Sequence, residues 1–335
     1  MTGVVRNEEI RRHGSAALRI LTVAAVYYGS AQLGLLQQLV RGQVSPLWPP
    51  TGVAVASLLI LGLRIWPGIA LGAFLVNVSI GPSLPAVLSI TAGNTLAPVC
   101  AYLLLRRAGF HNELDRLRDV LALIFLGALG ATLISSTVGS GALVLAGALQ
   151  PSDFWPTWSV WWTGDAMGVL VVAPFLLVIR TARWPRAPLS RWAEATALLL
   201  GTLSVTYLAT GTSITSLLFL VFPFLIWAAL SFQLAGAAPC ALAVSTLAIL
   251  AAARRIGPFA HQDLFVNMVT LQAFNGVAAL TALLLSAVII ERNRTHEEIR
   301  RVFAQLSEMV AQMEPRPGTY QWPPPDDEEG RDRDR

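Results

Sequence analysis

Apolar residues run along the chain in ten blocks, roughly 17–38, 47–63, 66–81, 84–105, 120–149, 155–179, 193–210, 215–232, 235–253 and 267–290. A hydrocarbon core about 30 Å thick is crossed by about 20 helical residues rising 1.5 Å each. Most blocks reach that length, which predicts an all-α, polytopic transmembrane helical bundle. The second and third blocks are short and the fifth is long. The middle of the fifth carries Ser135-Ser136-Thr137 and Gly139-Ser140-Gly141, where a bend or local unwinding is expected. Ten spans is the expected count. Eight follows if the short pair 47–81 forms a re-entrant hairpin.

Beyond residue 290 the pattern changes. Ile299, Val302, Leu306, Met309 and Met313 recur at spacings of 3, 4, 3 and 4, the a/d seam of about two heptads. Residues 291–313 therefore predict a cytoplasmic, coiled-coil-like helix continuing the last span. Pro315 and Pro317 stop it, and the polar tail 314–335 is expected to be disordered. Residues 1–16 form a short N-terminal segment and 17–290 the membrane domain.

Charge sharpens this division. The chain carries 24 Lys+Arg and 20 Asp+Glu among 335 residues, 13% charged, where soluble domains carry about 25%. Most of that charge lies in residues 1–19 and 291–335, so the long middle lacks the charge to clothe itself for water. That excludes a soluble enzyme, a nucleic-acid binder and a disordered chain. All basic residues are Arg, and they divide unevenly between alternate loops. With the N-terminus inside, 21 lie on the inner side and only Arg41, Arg254 and Arg255 on the outer. Such a bias places both termini in the cytoplasm. Five Trp-Pro pairs occur, and those at Trp48, Trp66 and Trp155 open spans. Interfacial Trp anchors, each followed by Pro in a first helical turn, account for them.

Candidate chemistry is sparse. Cys100 and Cys240 sit unpaired in apolar runs, the four His lie in flanking segments, and no metal, cofactor, nucleotide or triad motif is visible. Asp165 stands apart as the one ionisable side chain placed mid-membrane, in Trp161-Trp162-Thr163-Gly164-Asp165. A carboxylate there costs at least about 2.5–3.5 kcal/mol. It must be protonated, hydrogen-bonded, or facing water or a ligand. Candidate partners are Asn77, Thr91, Asn94, Ser135, Ser136, Gln272 and Asn275. Gly164/Gly168 and Gly68/Gly72 each form a small-xxx-small pair suited to close backbone packing.

The run Pro46-Leu47-Trp48-Pro49-Pro50-Thr51-Gly52, then Leu61-Gly62-Leu63-Arg64-Ile65-Trp66-Pro67-Gly68 and Leu71-Gly72-Ala73-Phe74, begins a recognisable pattern. It continues with Ala92-Gly93-Asn94-Thr95-Leu96, and with Trp161-Trp162 followed by Gly164-Asp165, Gly168, Leu170 and Pro174. Together these blocks resemble the first class of membrane-associated sensor domains, over about residues 17–290. The resemblance implies an all-helical sensory input domain of bacterial inner membranes, placed ahead of a histidine kinase or diguanylate cyclase. Only 45 residues follow position 290 here, too few for such an output. The expectation is a stand-alone sensor or a truncated relative, with no catalytic residues and no cofactor.

On this reading a small ligand, or the state of the lipid bilayer, acts at Asp165, Trp161, Trp162, Gly164, Asn94, Trp48, Pro49 and Pro50, with Gly68, Gly72 and Gly168 as packing positions. The signal leaves through Ile299, Val302, Leu306 and Met309 to a second copy or to a cytoplasmic kinase or cyclase. A secondary transporter or channel-like protein using Asp165 as a proton or cation site is the alternative.

Overall fold

A computed structural model describes residues 2–36, 45–181, 188–260 and 264–313. The chain divides into two units, Met1–Glu291 and Arg292–Arg335. Among the described residues all regular structure is helical. The helices are α1 (Thr2–Leu35), α2 (Pro49–Leu61), α3 (Trp66–Ile80), α4 (Leu84–Arg107), α5 (Leu117–Ala122), α6 (Thr132–Leu145), α7 (Phe154–Met167), α8 (Ala173–Thr181), α9 (Leu189–Gly211), α10 (Phe222–Ala253) and α11 (Leu264–Met313). Among the described residues, seven helical stretches are long and apolar enough to cross a membrane. Large apolar side chains such as Leu21, Leu75, Leu88, Phe125 and Tyr207 are exposed on the outside, as hydrocarbon-facing residues are.

One short apolar helix is almost wholly enclosed. With 13 residues, α2 is about 20 Å long, yet nine of those residues, from Pro50 to Leu59, are buried. Val55 and Leu59 belong to the large core with α8, α9, α10 and α11, while Ala54 and Leu58 belong to a second core with α1 and α3. In this way α2 is the post shared by both. Gly68 and Gly72 let α3 cross α1 closely: a Cβ at Gly68 would strike the Ile20 carbonyl, and one at Gly72 would lie 2.9 Å from Tyr27 Cβ.

The eighth and ninth apolar blocks run on as one helical assignment, α10, but Gln233 inside it has φ 54° and ψ −142°. The chain folds back there. A Cβ on Gly236 would lie 3.2 Å from the Ala228 carbonyl, whereas residues eight apart in a straight helix are separated by about 12 Å. Contacts with α9 agree. Arg191 meets Ser231 and Glu194 meets Trp227, so 222–232 runs antiparallel to α9. Thr202 meets Cys240 and Thr210 meets Gly257, so 234–253 runs parallel to it. The separate blocks expected at 215–232 and 235–253 are thus two limbs of a hairpin. Arg191 satisfies the Ser231 carbonyl exposed by the break, at 2.5 Å, and places its cation at a helix C-terminus.

Two expectations need correction. The Ser/Gly-rich middle of the fifth block is a regular helix, α6, and the irregularity lies earlier, in a π-helical stretch at Leu123–Gly130. Ser136 returns its hydroxyl to the Thr132 carbonyl and Ser135 has the same carbonyl within reach, so both hydroxyls find partners without the helix unwinding. Second, Trp66 and Trp155 are exposed as interfacial anchors would be, but Trp48 is inside the bundle, its ring 3.0 Å from where a Gly34 Cβ would stand.

In the second unit, residues 292–313 are helical, and Ile299, Val302, Leu306 and Met309 are all exposed, with Phe303 beside them. The expected tail 314–335, His261 and the outer Arg41 lie outside the described residues.

Candidate functional site

The site begins with how a helix can start inside an apolar bundle. The first backbone N–H groups of a helix have no internal partner, and an unpaired donor in hydrocarbon is costly. Pro49 and Pro50 occupy the first two positions of α2 and bring no N–H at all. The next donor, Thr51 N–H, returns to the Trp48 carbonyl at 3.3 Å. The Trp48 N–H goes across to the Gly164 carbonyl of α7 at 3.0 Å. A Trp-Pro-Pro-Thr sequence therefore builds a helix start with few unmet donors.

Close approach to α7 depends on absent side chains. A Cβ on Gly164 would strike the Ser45 carbonyl, one on Gly168 the Trp48 carbonyl, and one on Gly52 the Gly168 carbonyl. Gly164, with Gly168 just past the end of α7, forms a surface of close backbone contact. Its partner is the segment 45–48 and the first turn of α2, not the side of a second long helix.

Asp165 is fully buried in this contact. Thr51 Oγ1 donates to its Oδ1 at 2.6 Å, and Ser135 Oγ of α6 lies 2.5 Å from its Oδ2. The Trp161 side chain lies beside the acid as well. One acid therefore ties together α2, α6 and α7. Ser135 Oγ is also 2.9 Å from the Thr132 carbonyl. A single hydroxyl proton serves either acceptor. With Asp165 ionised, Ser135 donates to Oδ2. With it protonated, the acid donates to Ser135, which turns to Thr132. The same scaffold holds both states. Tyr27 of α1 is fully buried, with Trp48 beside it.

Beside the acid lies a small cleft. Ser45, Trp48, Asn77, Ile80, Gly81, Ile90, Asn94 and Trp161 line a space of about 30 Å³, the share of one water in the bulk liquid. Asn77 spends its amide N–H on the Ala73 carbonyl at 2.9 Å. The Trp161 ring fits over α6 only because position 139 is Gly: a Cβ there would run into the indole. Trp161 thus faces the cleft and adjoins Asp165 at once.

Of the residues singled out from sequence, Asp165, Trp161, Asn94 and Trp48 converge here, and Pro49, Pro50 and Gly164 shape the contact. Trp162 points elsewhere: its Nε1–H donates to the Leu129 carbonyl at 2.9 Å and its ring stacks on Trp158. Among the candidate partners of Asp165 only Ser135 is one. Gln272 donates instead to the Pro46 carbonyl, and buried Asn275 has neither amide atom paired. Thr51, Tyr27 and Gly139 were not anticipated as members. Thr51 and Gly139 lay in plain view, in the Trp-Pro-Pro-Thr run and the Gly-Ser-Gly run. Among the described residues, no group of three or more His, Cys, Asp or Glu is placed to hold a metal ion.

The MASE1 family model matches residues 18–293, a range that contains every residue of this cleft. The chain belongs to the MASE1 family. It is a multi-pass membrane protein with a sensory domain of the kind found in signalling proteins. It is also similar to a protein of Escherichia coli (strain K12) named probable diguanylate cyclase DgcE, at 30% identity over 144 residues. That stretch is 41% of this chain and 12% of the E. coli protein, so the likeness covers a small part of that relative's length. No solved structure matches.

Proposed function

We propose that this MASE1 protein is a sensory input module of a bacterial inner membrane, and that the cleft at Trp48, Asn94 and Trp161 receives the stimulus. The observation that carries this reading is the place of Trp161, which walls the cleft and also adjoins the buried Asp165. An occupant that turns the indole changes how three helices are tied. The response leaves through α11 and its exposed seam, Ile299, Val302, Leu306 and Met309, to a cytoplasmic kinase, a cyclase or a second copy. Ten crossings with both termini in the cytoplasm accord with this. The two limbs of α10, α1 and the buried α2 each add one to the remaining six long stretches, and the arginine bias sets the direction.

The test uses cross-linking at position 306 in native membranes, with Cys100 and Cys240 replaced by Ala and Leu306 by Cys. Trp161→Phe keeps the ring and removes the N–H; Asp165→Asn removes the titratable proton. Each should change the cross-linking rate at 306 while membrane insertion stays normal. Unchanged rates in both variants would overturn the sensory reading. The start of α2 inside the bundle, a feature shared with the broken helices of transporters, favours a second reading in which Asp165 serves a transported proton or cation. Uptake into proteoliposomes that disappears in Asp165→Asn would support it.

A further inference from the structure

Both ends of α2 are fastened by side-chain hydrogen bonds to groups in different parts of the bundle. At its first turn Thr51 holds Asp165 and the Trp48 N–H holds α7. At its last turn the Leu59 carbonyl, one of the four that a helix end leaves without partners, accepts two donors. Arg106 Nη2 at the end of α4 reaches it at 2.8 Å, and Asn112 Nδ2 reaches it at 2.9 Å. Arg106 also brings a cation to the negative end of the α2 dipole and rests over the Tyr102 ring.

Asn112 belongs to the turn between α4 and α5, which is unusually sunk into the bundle. Phe110, Leu114, Asp115 and Asp119 are buried there. Leu114 holds φ at 50°, and the His111 N–H donates to Asp119 at 3.2 Å. The turn ends at Leu117, whose N–H donates to Glu291 of α11 at 3.4 Å. Glu291 is the first charged residue after the apolar part of α11. Hydrogen bonds and helices, with the buried α4–α5 turn between them, therefore connect Asp165 to Glu291.

We propose that α2 is a coupling rod: it carries displacement of the Asp165 site to the α4–α5 turn, and through Leu117 and Glu291 to α11. The claim rests on the sensory reading above and specifies the route by which that site is linked to its output. Three features make α2 suited to the task. It is enclosed between two cores, so it has no lipid face along which to bend. It contains no internal Gly beyond its first turn and no Pro beyond its second position. Its terminal bonds are about 12 Å apart along the axis, eight residues at 1.5 Å each, so a shift at Thr51 reappears at Leu59 almost undiminished. The other tie of Asp165 to a different helix runs to α6, which meets the α4–α5 turn only through the π-helical stretch Leu123–Gly130, a softer link than a straight helix fastened at both ends.

Hydrogen exchange of the full chain in lipid nanodiscs tests this. Thr51→Val removes the hydroxyl that joins α2 to Asp165 and keeps the branched shape, while Thr51→Ser keeps the hydroxyl. Ser135→Ala removes another partner of the same acid, on α6. Thr51→Val should speed exchange of amides in 108–119 and at the base of α11 about five-fold, the change for a net hydrogen bond of roughly 1 kcal/mol. Thr51→Ser and Ser135→Ala should leave those amides as in the parent, and α9 should be unaffected in all three. Equal acceleration by Thr51→Val and Ser135→Ala would overturn the rod, as would no response in 108–119 to Thr51→Val. Acceleration in 108–119 together with unchanged cross-linking at 306 would uphold the rod and refute the sensory output, which separates the two claims.

Discussion

Replacing Asp165 by Asn and by Leu should give very different proteins, for reasons that follow from the partners one at a time. In Asp165→Asn the amide oxygen still accepts from Thr51. The amide N–H₂ donates to Ser135 Oγ, which is free to turn its own proton to the Thr132 carbonyl 2.9 Å away. The second amide hydrogen has no named acceptor, so the cost should be about 1 kcal/mol, the scale of one net hydrogen bond. In Asp165→Leu, Ser135 again falls back on Thr132 and the Trp161 N–H can meet water in the cleft. Thr51 has no second partner among the described residues, and its orphaned hydroxyl costs about 1–3 kcal/mol. The bulkier Leu side chain, with methyls in place of oxygens, is pressed into a contact made tight by Gly164 and Gly168 and adds about 1–3 kcal/mol of overpacking. The expected total is about 2–6 kcal/mol, most of it at α2. Thermal unfolding of purified protein followed by size-exclusion fluorescence gives the order. A modest shift for Asn and a large one for Leu is expected. If Asn costs as much as Leu, fixed charge holds the site and counting hydrogen bonds is the wrong account of it.

Gly168→Ala should destabilise by about 1–3 kcal/mol because its methyl would meet the Trp48 carbonyl, while Gly141→Ala, with nothing within 4 Å, should stabilise α6 by roughly 0.5–1 kcal/mol; melting temperatures of the pair decide. Gln233→Gly should raise the melting temperature, since glycine relieves a backbone conformation that costs other residues about 1–3 kcal/mol, and a fall would argue against the sharp reversal at that residue. A reporter fused after Arg294 should be active only in its cytoplasmic form, and periplasmic activity would reverse the orientation. Leu306→Asp should abolish cross-linking through the exposed seam of 292–313 without lowering insertion.

The pattern of apolar blocks was enough to find nearly every helix, because hydrocarbon leaves the backbone no choice but to pair within itself. Even the corner at Gln233 was legible, since the 39 residues from Thr215 to Ala253 would make a straight helix about twice the membrane thickness. Depth was not legible. Trp48-Pro49 reads like Trp66-Pro67, and only the pocket left by Gly34, Gly164 and Gly168 draws the first of them inside. Asp165 stood out because charge is rare in such a chain, and Ser135 could be suspected from its run of hydroxyls. Thr51 could not, as a first-turn threonine is ordinarily a local feature of its own helix. The π-helical stretch before α6 left no mark in composition either.

The bond between Thr51 and Asp165 joins residues 114 apart in sequence, and that interval has a meaning for synthesis. At about 5–20 residues per second, roughly 6–23 s separate the emergence of α2 from that of its partner. Throughout that time α2 is too short to hold itself across the bilayer, and the polar turn at its start has nothing to meet. The early part of the chain must therefore wait at the insertion machinery, or against a chaperone, until α7 arrives. Pulse-labelled nascent chains arrested before residue 165 should leave residues 45–61 open to aqueous modification, and chains arrested after α8 should protect them.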